Sequence, residues 1–329
     1  MNGKVSLITP CYNGERFLQL YIDNIMRQEY ADIEVIFVDD GSTNDISFME
    51  DRIREAVKKK GYEFVFLQKE NGGAASAVHL ALQYATGEYL MLLDMDDEIF
   101  ERAVSAKAEY LQLHPETDIV ISNGYYVFED KRRHTRPFLR KKPANANCIF
   151  EGLLKTTFYN WPGSYMVRSK SFFEVNKGRD IFQSPYGQNM QILLPATIRR
   201  NICFLNEFHM NYYVRKSSVS HTSDNGKMQQ LLYGYEHIRE TVIQKICEDM
   251  REKERYLHMI WVAGAKKQLR FSCRNKDKTG MEESYERLKS LGEVGFRDSV
   301  VYFCRKSVAL MWFYKGTSHV IERVTNRVI

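Results

Sequence analysis

The chain has 329 residues, enough for one large α/β domain with a good core plus an appendage, or for two ordinary domains. Its 47 Lys+Arg against 42 Asp+Glu make it only mildly basic, which excludes the global charge signature of a nucleic-acid binder. Six scattered cysteines (Cys11, Cys148, Cys203, Cys247, Cys273, Cys304) lack the spacing of a zinc site or a disulfide framework and fit reduced thiols in a cytoplasmic protein.

The N-terminus runs straight into an apolar strand pattern without the features of a secretory signal. Ser307 to Tyr314 is too short and too closely flanked by cations to span a bilayer. Val5 to Thr9, Ile33 to Val38, Phe64 to Leu67 and Tyr89 to Leu93 read as buried strands alternating with helices, a doubly wound α/β pattern. Leu18, Tyr21, Ile22 and Ile25 recur at i, i+3, i+4 and i+7 and predict a helix facing the sheet; further helices are expected over Ile46 to Lys59 and Ala75 to Tyr84. Ligands of such sheets sit beyond the carboxyl ends of the strands. Cys11 to Gly14, Asp39 to Thr43 and Asp94 to Asp97 are therefore expected to line one crevice. A helix ending over Leu111 to Thr117 and a strand pair over Ile119 to Phe128 follow. The basic run Asp130 to Lys142 reads as a solvated loop or as a flap whose cations meet a phosphate. From about Ser223 the pattern turns to long charged helices with a break near Asn275 to Gly280. This divides the chain into a catalytic domain, 1–222, and a helical C-terminal region, 223–329.

Three segments carry chemistry. Asp94, Asp96, Asp97 and Glu98 crowd four carboxylates into five residues at a strand end, and such charges raise one another's pKa unless a cation offsets them. Mg²⁺ or Mn²⁺, which take hard oxygen ligands, would do so; an acidic helix cap is the plainer alternative. Asp39 to Thr43 reads as a tight turn and helix cap, or as a buried carboxylate accepting from a nucleobase N–H. Asn71, Gly72 and Gly73 open a helix with small residues, letting backbone N–H groups approach phosphate or ribose.

In this order Thr9-Pro10-Cys11-Tyr12-Asn13, Val38-Asp39-Asp40-Gly41-Ser42, Asn71-Gly72-Gly73 and Leu93-Asp94-Met95-Asp96-Asp97 resemble glycosyltransferase family 2, over about Lys4 to His221. The resemblance implies a GT-A fold, that is, a Rossmann-like mixed α/β sheet with helices on both faces. It also implies a nucleotide-sugar donor, most commonly a UDP-sugar, and inverting transfer to a glycan or lipid-linked acceptor assisted by Mg²⁺ or Mn²⁺. By the same resemblance Pro10 and Tyr12 border the nucleobase, with Asn13 in the same motif. Asp40 reads the base with Asp39 beside it, Asn71 and Gly73 line the donor, and Asp94 and Asp96 serve ribose and metal. Trp161 to Arg168 resembles the acceptor-side strand, with a core strand as the alternative. Tyr212 to His221 resembles the closing motif, in which Arg215 meets the diphosphate and His221 completes the metal shell.

One departure stands out. Where many members carry an acidic pair whose Asp is the general base, this chain has Gln188 and Asn189, and amides cannot accept the proton. Capsule and lipopolysaccharide transferases show a similar Gly-Gln-Asn run. Asp180 is the first substitute base, Asp97 and Glu98 the next, with Asn189 positioning the acceptor. The competing reading is a non-catalytic sugar-nucleotide or glycan-binding relative; a dehydrogenase is excluded by the missing G-x-G-x-x-G. The C-terminal aromatics and cations, Tyr302, Phe303 and Trp312 to Tyr314 with Arg305 and Lys306 among them, suit an anionic membrane surface; packing on the enzyme or on a second subunit is the alternative.

Overall fold

The computed structural model describes residues 3–129, 134–215 and 224–314. Its contacts divide the chain into Met1–Phe150 with Tyr159–Arg215, and Glu151–Phe158 with Lys216–Ile329.

In the first unit, β1 (Val5–Cys11), β2 (Ile33–Asp39) and β4 (Tyr89–Leu92) are the parallel heart of a mixed nine-stranded sheet. Their near-continuous apolar sequence is what burial on both faces requires. Val5, Leu7, Val35, Phe37 and Met91 point to one face, where they pack with α1 (Leu18–Arg27), α2 (Ser47–Lys60) and α4 (Ser105–Leu113). The other face takes α3 (Ala74–Tyr84), which packs on β1 and β2. Helices on both faces follow directly from the alternation of side chains along each strand.

Order across the sheet is β3-β2-β1-β4-β8-β6-β9-β5, with β3 (Glu63–Gln68), β5 (Glu98–Ile99), β6 (Ile119–Phe128), β8 (Tyr165–Arg168) and β9 (Ile202–Val214). Strand β3, expected to be buried, is a half-buried edge strand, because only β2 pairs with it. The expected pair over Ile119 to Phe128 is one strand. It shifts register against β9 at Ser122/Asn123 and Asn123/Tyr125, and its first half pairs with β8 while its second half pairs with β7 (His134–Pro137). Asn123 fills the irregularity by bonding Leu139 through both its carbonyl and its amide. The basic stretch expected as a loop thus contains β7; Lys131, Arg132 and Arg133 lie outside the described residues. Helix α4 stops at Leu113, earlier than expected, because Pro115 disfavours helical backbone at His114. Helices α5 (Ala146–Leu154), α6 (Ser169–Asn176) and α7 (Gln188–Thr197) complete the order, and α7 packs with α6 and α3.

The second unit is helical: α8 (Asn225–Ile246), α9 (Met250–Asn275), α10 (Lys278–Ser290), α11 (Phe296–Phe303) and a helical stretch at 308–314. Asp224, Asp249 and Asp277 cap the first three, each accepting from the backbone N–H three residues on. The expected break is the joint at Lys276, in the left-handed region, and Asp277. Ala265, Leu269, Cys273, Met281, Leu288 and Val301 form this unit's core. Among the described residues no helix is long and apolar enough to cross a membrane.

Candidate active site

The crevice lies where β1, β2 and β4 end. On the β2 side, three motifs that are far apart in sequence form one hydrogen-bonded unit. Asp40 is buried, and its Oδ1 accepts from Lys69 Nζ at 2.8 Å and Gly72 N at 3.0 Å while Oδ2 accepts from Gly73 N at 2.6 Å. The two glycine amides expected to face phosphate or ribose are therefore spent on Asp40. Gly73, expected to line the nucleotide-sugar site, thus turns its own N–H to a protein carboxylate. A carboxylate offers about four lone-pair sites, so Asp40 keeps acceptor capacity for a base N–H.

Gly41 and Gly73 are fixed by space. Both have positive φ; a Cβ on Gly41 would meet Asn71 N at 2.6 Å, and one on Gly73 would meet the backbone of Pro185 at 2.3 Å. Asp39 is also buried, accepting from Ser42 N and from Gln68 Nε2, each at 3.0 Å. Asn13, itself at φ 50°, accepts from Thr43 N through its side chain while its N–H donates to Ser42 Oγ. Asp39 and Asn13 thus shape the turn. Tyr12 is 50% exposed and Pro10 half-buried at the open end of β1, while Asn71 is exposed.

Beyond β4, one carboxylate oxygen from each of Asp94, Asp96 and Asp97 lies within 4.8 Å of the others. Asp97 is buried; its Oδ1 accepts from Tyr213 N at 3.1 Å, and its Oδ2 has no hydrogen-bond partner. Burial, then the neighbouring Asp96 and Asp94, hold the Asp97 carboxyl well above the usual carboxylate range. Burial and Asp96 push Asp94 up to about 7. Asp96 pairs with Arg215, Nη1 to Oδ2 at 2.9 Å, and Arg215 also reaches Glu129 at 3.4 Å and lies over the rings of Phe17 and Tyr213. Three carboxylates with one orphaned oxygen and one guanidinium leave a deficit of positive charge. That deficit and the all-oxygen donor set fit a hard divalent cation. His221 lies outside the described residues.

The segment carrying the cluster is clamped from α1. Asn24 Nδ2 donates to Asp97 O and its Oδ1 accepts from Ile99 N, while Gln28 bonds Phe100 O and Val104 N. Sequence reasoning missed this clamp, although amides at i and i+4 beside the apolar stripe of α1 were its signal. Burial pushes the Glu98 carboxyl up, but hydrogen bonds from Arg27, Asn211 and Tyr213 outweigh it, hold the group below the usual range and commit it to structure.

On the other side, Tyr165 Oη donates to Asn189 Oδ1 at 2.8 Å, in the first turn of α7. Tyr165 is buried, and burial with Asp94 nearby pushes its phenol well above its ordinary value. Asp180 stands beside α3. Its neighbours Arg179 and Ile181 bond Leu82 O, Ala85 O and His79 along α3, and its own carboxylate is exposed, 4.0 Å from His79. The level of His79 is six residues past Gly73, about 9 Å along the helix at 1.5 Å per residue. The segment 178–185 runs back along α3 to reach Gly73 only at Pro185.

This architecture is that of the GT-A glycosyltransferases. Residues 1–349 of S. aureus TarS, solved with UDP-GlcNAc, align with a TM-score of 0.61 at 18% identity, covering 92% of this chain and 84% of that one. The mannosyltransferase PcManGT of Pyrobaculum calidifontis, solved with GDP-Man and Mn²⁺, aligns at 0.54 and 16% identity, covering 99% and 87%. The sequence profile described as Glycosyl transferase family 2 matches residues 6–173. Glycosyltransferase GlyG of Streptococcus pneumoniae serotype 4 is 33% identical over 233 residues, 68% of this chain and 74% of that relative. Two rickettsial relatives are matched over shorter stretches, 40% and 38% of their length. The chain belongs to glycosyltransferase family 2 and is a glycosyltransferase.

Proposed function

We propose that the chain moves a sugar from a nucleoside-diphosphate sugar, with UDP as the nucleotide, to a hydroxyl of a glycan or lipid-linked acceptor, with inversion and with Mg²⁺ or Mn²⁺, at the inner face of the cell membrane. One observation carries the reading: the Asp94, Asp96 and Asp97 oxygens converge within 4.8 Å at the mouth of the crevice, with Asp97 Oδ2 unpartnered. The donors seen in TarS and PcManGT, UDP-GlcNAc and GDP-Man, support the substrate class.

In this reading Tyr12 stacks on the base, for its exposed ring at the end of β1 is otherwise uncovered. Asp40 accepts from the base, and Asp39 and Asn13 hold the turn that aims it. Asp94 and Asp96 would hold the cation, with His221, outside the described residues, as the further ligand the family likeness implies, and Arg215 would turn from Asp96 to the diphosphate. A cation bound there offsets charge on the departing diphosphate. Asn189, fixed by Tyr165, orients the acceptor hydroxyl, and its proton passes to a carboxylate. Of the two candidates, Asp97 is favoured over Asp180, since Asp97 sits in the carboxylate cluster with one oxygen unpartnered while Asp180 is exposed beside His79 of α3.

The test is turnover of a panel of UDP- and GDP-sugars with Mn²⁺ and with excess chelator. The reading expects one nucleotide class to be consumed and chelator to abolish turnover. Binding without turnover of any donor would favour the non-catalytic alternative.

A further inference from the structure

Helix α11 leaves one face uncovered. Phe296, Val300 and Phe303 recur at i, i+4 and i+7, a single face of a helix, and all three are exposed, Phe296 at 85% and Phe303 at 53%. The other side of α11 is anchored: Asp298 and Val301 are buried, and Val301 joins the core of its unit. In the stretch 308–314, Met311 is the buried anchor, whereas Trp312 and Phe313 are 64% and 71% exposed and Val308 stands beside them. Large apolar side chains exposed in a row along α11 mark an interaction surface, and Trp312 and Phe313 add exposed rings shortly after it in the chain.

Cations stand on the exposed rings. Lys306 Nζ lies 4.6 Å over Phe303 and Lys276 Nζ 5.3 Å over Trp312, and Arg297 is exposed next to Phe296. Nearby carboxylates are largely spent: Asp298 is buried against Lys266 and Arg270, and Glu282 pairs with Arg305 at 3.2 Å. Glu293 remains exposed. From Val301 onward the sequence carries Arg305, Lys306, Lys315, Arg323 and Arg327 against Glu322 alone.

We propose that this patch is a docking surface for an anionic lipid bilayer, with α11 lying in the headgroup plane. Aromatic rings that enter the headgroup boundary beneath cations that meet lipid phosphate are what such a surface requires. A second copy of the chain fits the charge less well. A two-fold contact sets the patch against itself, and Lys276, Arg297 and Lys306 would then face their own equivalents. None of these residues is among those assigned to sugar transfer, so this membrane contact can fail its test while the proposed activity stands, and the reverse.

The full chain is sedimented with vesicles of phosphatidylcholine containing phosphatidylglycerol and, in parallel, with phosphatidylcholine alone. It is expected to bind the first and not the second, and to be released by salt. Phe303→Glu combined with Trp312→Glu should lower the partition coefficient about tenfold or more, and Lys306→Glu about fivefold. Both variants should melt as the parent does, because the side chains are exposed. A parent that ignores anionic vesicles, or a double variant that binds them undiminished, overturns the proposal. So does a dimer in sedimentation velocity that the double variant abolishes without any vesicle binding by the parent, an outcome that assigns the patch to a second copy.

Discussion

Two buried carboxylates of the sheet are held in opposite ways, Glu34 near the start of β2 and Asp97 just past the end of β4. At the start, Glu34 is buried and accepts four hydrogen bonds, from Ser6 Oγ, Thr86 N, Thr86 Oγ1 and Gly87 N. At the carboxyl end, Asp97 is equally buried yet accepts one, keeps Oδ2 bare and sits beside Asp94 and Asp96. Burying a carboxylate costs several kcal/mol unless donors surround it, so the first arrangement is structure and the second stores unrelieved charge. The contrast teaches that burial alone does not mark a site. Incomplete satisfaction does, because something absent from the protein must complete it.

The largest effect that tests this contrast is on chemistry. Asp96→Ala is expected to lower turnover about 10³-fold or more, since the charge stabilisation it supports is worth several kcal/mol in the transition state. Its melting temperature should stay near the parent's, and steady-state kinetics with thermal melts check both. Asp97→Asn should follow at about 10²-fold, the lower range for loss of a general base. Asp180→Asn, along α3, should stay within about twofold; if the ranking of these two variants is reversed, the proton acceptor belongs on the 178–185 segment.

Glu34→Ala should do the converse. Three donors lose their acceptor and Gly87 N keeps only Ser6 Oγ, costing about 3 kcal/mol or more, which for a unit of this size lowers the melting temperature by roughly 6–12 °C. Turnover per folded molecule should remain within about twofold of the parent. Equal loss of activity and stability in this variant would erase the distinction between the two ends.

The smallest effect is on pH. Asp94 in the folded chain titrates at about 7, raised by burial and Asp96 from 3.8. Between those values the native state holds a proton that the unfolded state has released, so the stability of the metal-free protein should fall as pH rises from about 4 to 7. Asp94→Asn should flatten that slope and raise the melting temperature of the metal-free protein at neutral pH, while abolishing turnover. Melting curves recorded in chelator across this range would show it.

Much of this was legible in the sequence because it depends on local pattern. Apolar runs of four to seven residues located β1, β2 and β4, the 3.6-residue stripe located α1, and the crowding of Asp94, Asp96 and Asp97 announced a charge problem in any fold. What was not legible depends on contacts between distant segments. No spacing shows that Asp40 closes on Gly72 and Gly73, that Asn24 and Gln28 of α1 clamp the segment after β4, or that Tyr165 of β8 reaches Asn189 of α7. The surroundings of Asp180 were hidden for the same reason: its closeness in sequence to Asn189 says nothing of its place beside His79 of α3, and its part in proton removal is left to the Asp180→Asn measurement. Strand β6 was read as two strands because its hydrogen-bonding neighbour changes at Asn123, which composition cannot report.

Thermal melting of the parent and of Asp96→Ala with Mn²⁺ and UDP, alone and together, tests the central claim most directly. A ligand that binds only the native state stabilises it by RT ln(1 + [L]/Kd) and so raises the melting temperature. If the unsatisfied carboxylates are a cation site that completes the donor pocket, Mn²⁺ and UDP together should stabilise the parent by more than the sum of their separate effects, and Asp96→Ala should lose that excess. An equal shift in parent and variant, or none in either, would contradict the account.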